Sequence, residues 1–196
     1  SPDSQWLASC GEDCIIRLWA VADLLNFNEE AAVLTARELV SQQHRELVHT
    51  LSFTPNSQQL VSGGEDKTIK VWDVDTGVCQ TTLEQHRDSV RSLTISEDGR
   101  FLASGGDDGQ VILWDFHRRK AIQAMPTQQS RSWSVALQQQ GGKLLLSAGG
   151  DKQRLMLWQV MAKPPVMDKG IEGTANNNRP SVRSLRTYRG YTNGIR

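Results

Sequence analysis

The chain has few cysteines, no excess of either charge and no long apolar run. Its 196 residues include three cysteines, an odd and sparse set that fits a reducing compartment better than a disulfide scaffold. Basic and acidic residues number 22 each, which argues against a basic nucleic-acid-binding or membrane-binding surface. The apolar stretches are too short to span a bilayer. We therefore expect a cytoplasmic protein without membrane or nucleic-acid partners.

Four tryptophans close similar phrases along the chain. The most regular phrases are LVSGGEDKTIKVWDV, which ends at Val74, and LASGGDDGQVILWDF, which ends at Phe116. Successive tryptophans are 53, 42 and 44 residues apart, and they stand at Trp19, Trp72, Trp114 and Trp158. A period of about 40–45 residues built from short strands is typical of a β-propeller with one sheet per repeat.

Turn residues at short spacing predict an antiparallel meander within each repeat. In the repeat that ends with Trp114, strands are predicted near 90–95, 101–104 and 111–115, with turns at 96–99 and 105–109. The preceding repeat predicts strands at 48–53, 59–62, 68–73 and 78–83. Helical periodicity is absent from these segments, so the predicted fold class is all-β.

In these phrases the chain resembles the WD40-repeat β-propeller family. The Trp-Asp dipeptide is intact at 72–73 and 114–115, and it reads Trp-Ala at 19–20 and Trp-Gln at 158–159. The resemblance implies a WD40 β-propeller that usually closes with about seven or eight blades. About four blades are then present, and the chain is cut inside a blade at both ends.

We expect one partial propeller over residues 1–196. Its blades run about 1–43, 44–85, 86–127 and 128–190, and 191–196 form the first strand of the next blade. We expect the chain to be an excerpt of a longer protein; the alternative, if the chain exists alone, is that its unpaired strand edges favour self-association that closes the ring.

Two segments lengthen the repeats, both between the third and fourth strands of a blade. Residues 23–34 are consistent with a short amphipathic helix. Residues 163–182 are rich in Pro, Gly and Asn, which is typical of a mobile loop. Either segment is a tolerated surface insertion or a loop that docks a partner.

A polar set recurs at fixed spacing. A His stands 28 residues before Trp72 and before Trp114, a Ser stands ten before and an Asp six before. In the family this set forms a structural network of hydrogen bonds. The Asp accepts from the imidazole of the His, the imidazole bonds to the Ser hydroxyl, and the hydroxyl bonds to the indole N–H of the Trp. The residues are His44, Ser62, Asp66, Trp72, His86, Ser104, Asp108 and Trp114. Gln128 stands where the fourth repeat lacks its His, so that blade is predicted to be the loosest.

Three features suggest chemistry, and each has a structural explanation. The Ser, His and Asp recur once per blade, and their hydrogen bonds lead to a buried Trp. This arrangement favours a structural role over nucleophilic catalysis. The Gly-rich segment 63–68 lacks the spacing of a phosphate loop. Cys10 and Cys14 flank a hairpin with no visible further zinc ligands. We predict no enzymatic activity, no cofactor and no metal site.

The resemblance also implies a partner-binding face, built by the loops that enter the first strand and that join the second strand to the third. Candidate partner-binding residues at these positions are Glu12, His49, Glu65, Arg91, Asp107, Arg131, Trp133 and Arg196. Arg and Trp are the residue types that most often anchor interfaces. Trp133 is expected either on this surface or packed between blades.

The expected function is a non-enzymatic scaffold or recognition domain that binds protein or peptide partners through the propeller face. The alternative is the C-terminal sensor propeller of a larger signalling NTPase, because propellers of this kind are often appended to nucleotide-driven switches. The chain itself supplies no switch residues, so upstream sequence would decide between the two.

Overall fold

The computed structural model describes residues 1–25, 36–39, 44–127, 131–140, 143–152, 154–161 and 180–189. Within these residues fifteen strands form four antiparallel sheets, and each sheet pairs its strands in chain order. The all-β prediction is confirmed. We call the sheets blades 1 to 4.

Blade 1 contains three described strands and the other blades contain four. Blade 1 consists of β1 (Trp6–Ser9), β2 (Ile16–Ala20) and β3 (Arg37–Leu39). Blade 2 consists of β4 (Val48–Phe53), β5 (Gln59–Gly64), β6 (Thr68–Asp73) and β7 (Cys79–Glu84). Blade 3 consists of β8 (Val90–Ile95), β9 (Phe101–Gly106), β10 (Gln110–Asp115) and β11 (Lys120–Pro126). Blade 4 consists of β12 (Ser132–Gln140), β13 (Lys143–Gly150), β14 (Arg154–Met161) and β15 (Ser181–Arg189).

Apolar side chains fill the space between adjacent blades. Trp72 packs against Ile16 and Leu18 of blade 1 and is fully buried. Trp114 packs in the same way against blade 2, and Trp158 against blade 3. Each tryptophan thus covers the preceding blade, so neighbouring blades stabilise one another as in other repeat proteins.

The second strands extend farther than the sequence predicts. Strands β5 and β9 each run two residues beyond the predicted ends, through Gly-Gly pairs that were assigned to turns. A Cβ on Gly63 would lie 2.6 Å from Val90 Cγ1, and one on Gly105 would lie 2.8 Å from Val135 Cγ1. These glycines are therefore required by the close approach of the next blade, while the turn itself begins two residues later.

Both insertions are described only at their edges. The helix α1 (Val21–Leu25) begins two residues before the predicted helix at 23–34, and residues 26–34 lie outside the described part. The predicted loop at 163–182 is wrong at its end, because Ser181 and Val182 pair with Met161 and Val160 in the β14–β15 ladder. Residues 163–179 and 191–196 lie outside the described part.

Some apolar side chains of blades 1 and 4 are exposed, among them Leu7, Leu185 and Tyr188. Self-association of the chain stays a prediction. Among the residues that the structure describes, no helix is both long and apolar enough to cross a membrane.

Candidate partner-binding surface

Blades 2 and 3 each contain a buried His–Ser–Asp–Trp network. In blade 2, Trp72 Nε1 donates to Ser62 Oγ at 2.8 Å, and Ser62 Oγ lies 2.7 Å from His44 Nε2. His44 Nδ1 lies 3.0 Å from both carboxylate oxygens of Asp66. The serine therefore accepts from the indole and donates to Nε2, and Nδ1–H donates to the carboxylate. The hydroxyl is fully buried and its bonding capacity is used, so this set stabilises the fold.

The blade 3 network repeats this geometry. Trp114 Nε1 lies 2.9 Å from Ser104 Oγ, which lies 2.7 Å from His86 Nε2. His86 Nδ1 lies 2.9 Å from Asp108 Oδ2. In blade 1, Trp19 Nε1 donates to Ser9 Oγ at 2.9 Å, whereas Gln128 of the fourth repeat lies outside the described residues.

Sequence reasoning missed a backbone donor to each network carboxylate. The N–H of the residue that follows the histidine donates to the Asp: Arg45 to Asp66 at 3.1 Å and Arg87 to Asp108 at 2.9 Å. Burial works against the charged form, but the hydrogen bonds from the histidine and the backbone outweigh it and hold the pKa of both carboxyl groups below the usual range. In blade 4, Arg131 N donates to Asp151 at 3.3 Å, so this part of the pattern does not require the histidine.

The first strand of each of blades 2 to 4 carries one extra residue near its start. The register shifts between Val48 and Thr50, between Val90 and Ser92, and between Ser132 and Ser134. The residues inside these bulges are His49, Arg91 and Trp133. A bulge leaves its extra residue outside the regular pairing and redirects its side chain. Three of the predicted partner-binding residues thus share one backbone feature, which sequence reasoning did not identify.

Five predicted residues lie in a continuous chain of contacts across blades 2, 3 and 4. Arg91 Nε donates to Asp107 Oδ2 at 2.8 Å, and its Nη1 donates to His49 Nε2 at 3.0 Å. His49 Nε2 lies 3.9 Å from Glu65 Oε1, and Arg131 Nε lies 3.9 Å from Asp107 Oδ1. We call these five residues together with Trp133 the central surface.

The two ends of this chain, Glu65 and Arg131, carry its most exposed side chains. The side chain of Asp107 is 7% exposed, that of Arg91 30% and that of Arg131 56%. Asp107 Oδ1 is buried without a hydrogen bond within the described residues. The buried carboxylate fixes Arg91 in place while the guanidinium stays partly accessible, which is a suitable arrangement for an anchor.

His49 is the titratable imidazole of the central surface, and its pKa is lowered. Burial and the neighbouring Arg91 charge lower the pKa of His49, although the carboxylates of Glu65 and Asp107 oppose the shift. Because a neutral imidazole accepts from Arg91 whereas a protonated one repels it, the low pKa and the short contact are consistent.

The remaining candidates do not join this chain of contacts in the described part of the protein. Glu12 is exposed in the turn between β1 and β2, at the position equivalent to Glu65. Trp133 is half-buried, which is intermediate between the two predicted placements, and Arg196 lies outside the described residues. Within those residues, no cluster of His, Cys, Asp and Glu is arranged to hold a metal ion.

A family model described as "WD domain, G-beta repeat" matches residues 1–20, 37–73 and 77–115. The chain belongs to the WD40-repeat family. The matched segments contain both complete networks and four of the six residues of the central surface. WD40 repeats generally serve as scaffolds for protein interactions, and the chain shares that general character.

The WD40 segments are similar to parts of much longer proteins. Protein HIR1 of Kluyveromyces lactis is 33% identical over 86 residues, which are 41% of this chain and 10% of that protein. Protein HIR1 of Aspergillus oryzae is 32% identical over 77 residues, which are 39% and 7%. The ribosome biogenesis protein BOP1 homolog of Drosophila persimilis is 44% identical over 50 residues, which are 26% and 6%. The match thus spans a tenth or less of each relative, and these WD40 relatives give no support to the predicted cytoplasmic location.

Proposed function

We propose that this WD40 chain is a non-enzymatic recognition module that binds a protein or peptide partner on the central surface. The observation that carries the proposal is the chain of contacts from Glu65 through Arg91 to Arg131. It joins three blades into one continuous polar surface at the end of the propeller where the second strands turn into the third.

Preorganisation supports a binding role for Arg91. Its guanidinium is held by Asp107 on one side and by His49 on the other, so little side-chain entropy remains to be lost when a partner binds. Trp133 occupies the equivalent bulge of the next blade and offers a large, rigid apolar contact. The partner that fits this pair presents a hydrogen-bond acceptor to Arg91 beside an apolar side chain.

The experiment that tests this proposal is partner recovery from a lysate, followed by affinity measurement with each recovered protein. The Arg91→Ala/Trp133→Ala variant is compared with wild type and with Arg118→Ala/Val78→Ala. The control removes an exposed Arg and an exposed apolar residue from turns at the opposite end of the propeller. Loss of two anchors is expected to weaken binding at least thirtyfold, which corresponds to about 2 kcal/mol, while the control binds within twofold of wild type.

A deletion of residues 163–179, which leaves the paired residues of β15 in place, separates the central surface from the second insertion. If only the deletion abolishes recovery, the insertion is the docking site. If the Arg91/Trp133 variant recovers the same proteins with wild-type affinity, the proposed role of the central surface is wrong.

A further inference from the structure

At the opposite end of blades 2 and 3, four side chains form a relay of hydrogen bonds with a single direction. Arg119 Nη2 donates to Gln59 Oε1 at 3.0 Å, and Gln59 Nε2 donates to Gln80 Oε1. Gln80 Nε2 in turn donates to Asp73 Oδ2 at 3.1 Å. Arg119, Gln59 and Gln80 each donate to the next member, and Asp73 accepts the last hydrogen bond. The relay therefore has a positive end at Arg119 and a negative end at Asp73.

The guanidinium at the positive end is held firmly but is not fully paired. It lies 3.9 Å above the ring of Phe116, a cation–π arrangement that orients it. Its Nη1 is buried and has no hydrogen bond in the described part of the chain. Burial lowers the pKa of Arg119, because desolvation disfavours the charged form of the guanidinium. A buried donor without an acceptor is costly, so an external acceptor would be bound strongly here.

The relay lines a groove of about 530 Å³, together with Asn56, Gln58, Asp75 and His117. A smaller pocket of about 140 Å³ adjoins it and shares Asn56, Gln59 and His117 with the groove, while Pro55 and Phe116 give it an apolar wall. Side-chain amides both donate and accept, which matches the alternating groups of an extended peptide backbone.

We propose that this groove binds an extended peptide segment by one acidic side chain, whose carboxylate pairs with Arg119. Arg119 lines the groove, and binding requires its guanidinium to turn so that Nη1, which is buried in the free protein, meets the carboxylate. The planar guanidinium matches a carboxylate in geometry. Asp73 and Asp75 line the same groove, and their repulsion opposes a doubly charged phosphate more than a singly charged carboxylate.

The probes are three libraries of capped heptapeptides with uncharged flanking positions and a fixed central Glu, Gln or phosphoserine. Binding to the full 196-residue chain is measured by affinity selection and then by fluorescence polarisation of selected peptides. The Glu library is expected to contain binders at least tenfold tighter than those of the other two libraries. Arg119→Gln is expected to lose this preference, and Arg118→Gln is the matched control, because Arg118 is adjacent, 74% exposed and not among the groove residues.

A second variant, Gln59→Glu, keeps the proposal falsifiable if loss of Arg119 impairs folding. It places an internal carboxylate against Arg119, so the variant is expected to melt at or above the wild-type temperature and to bind the selected Glu peptides at least tenfold more weakly. Wild-type affinity in Gln59→Glu, or a preference of the wild-type chain for Gln or phosphoserine peptides, would overturn the proposal. The groove is independent of the central surface, so Arg91→Ala/Trp133→Ala should leave binding of these peptides unchanged.

Discussion

Two histidines of blade 2 stand five residues apart and differ in how fully their ring nitrogens are paired within the protein. His44 is buried, and both of its ring nitrogens are paired within the protein, with Ser62 and with Asp66. His49 lies in a bulge beside Arg91, where it is partly exposed and close to Glu65 without pairing with it. The same contrast separates Asp108, whose two oxygens accept hydrogen bonds within blade 3, from its neighbour Asp107, which has one oxygen without a hydrogen bond in the described part of the chain.

The contrast shows that residue type alone does not separate a fully paired buried group from a group with unused hydrogen-bonding capacity. A saturated set of buried hydrogen bonds offers nothing to a partner, and the loss of one member leaves the others unsatisfied. A set with unused hydrogen-bonding capacity near solvent loses less stability when one member is removed. It also has donors or acceptors left to pair with a partner.

The largest expected effect distinguishes the two adjacent aspartates. Asp108→Ala should destabilise the protein by about 2–4 kcal/mol, because His86 Nδ1 and two backbone N–H groups lose their acceptor. Asp107→Ala should cost about 1 kcal/mol or less, because it removes an incompletely paired carboxylate and leaves Arg91 with His49 and water. Urea titration of both variants measures the difference. Equal losses would show that the central surface is as structural as the networks.

A smaller effect concerns acid stability. The pKa of Asp66 lies below its usual value of 3.8 in the folded protein, so the ionised carboxylate contributes stability that is present above pH 3.8. That contribution is lost as the pH falls through the folded-state pKa. Asp66→Asn should therefore be less stable than wild type at pH 7, and the difference in free energy of unfolding between the two proteins should become smaller below pH 4.

Denaturant titrations at several pH values from 7 to 3 measure the gap between Asp66→Asn and wild type. A gap that stays constant down to pH 3 would contradict the hydrogen-bonded, ionised state of Asp66. The other carboxyl groups are common to both proteins, so the difference isolates this one.

The smallest expected effect is the titration of His49. Its pKa should lie below the ordinary value of 6.5, and the stability that depends on the neutral ring is present above pH 6.5 and lost as the pH falls through the lower, folded-state pKa. Arg91→Ala should raise the midpoint, because the repulsion between the guanidinium and the protonated ring is removed. NMR titration of the assigned imidazole signals measures both midpoints, and a wild-type midpoint at or above 6.5 would contradict the contact with Arg91.

The networks were predictable from the sequence because each member stands at a fixed distance from a tryptophan within one repeat. The strands predicted in blades 2 and 3 agree with the structure to within one residue for the same reason, apart from the ends of β5 and β9. There the glycines look like turn residues, but they are required by contacts with the following blade. Sequence spacing within a repeat carries no information about how closely the next repeat approaches.

The residues of the central surface were predictable from the sequence, but the contacts between them were not. The resemblance to WD40 repeats supplied the positions of His49, Arg91 and Arg131, yet their contacts cross from one blade to the next. The relay that ends at Arg119 was missed entirely, because its bond to Gln59 joins residues 60 positions apart and follows no motif. Arg119 also has a left-handed backbone, with φ of 55°, which nothing in the segment DFHRRK indicates.

The bulges in the first strands have a consequence for how such a surface can evolve. Each inserted residue stands outside the ladder, so its side chain can change without disturbing strand register or the inter-blade core. This chain already displays that freedom, since the three equivalent positions hold an imidazole, a guanidinium and an indole. Specificity can therefore diverge one blade at a time, by single substitutions that the fold does not oppose, and a family with one constant architecture can acquire many different ligands.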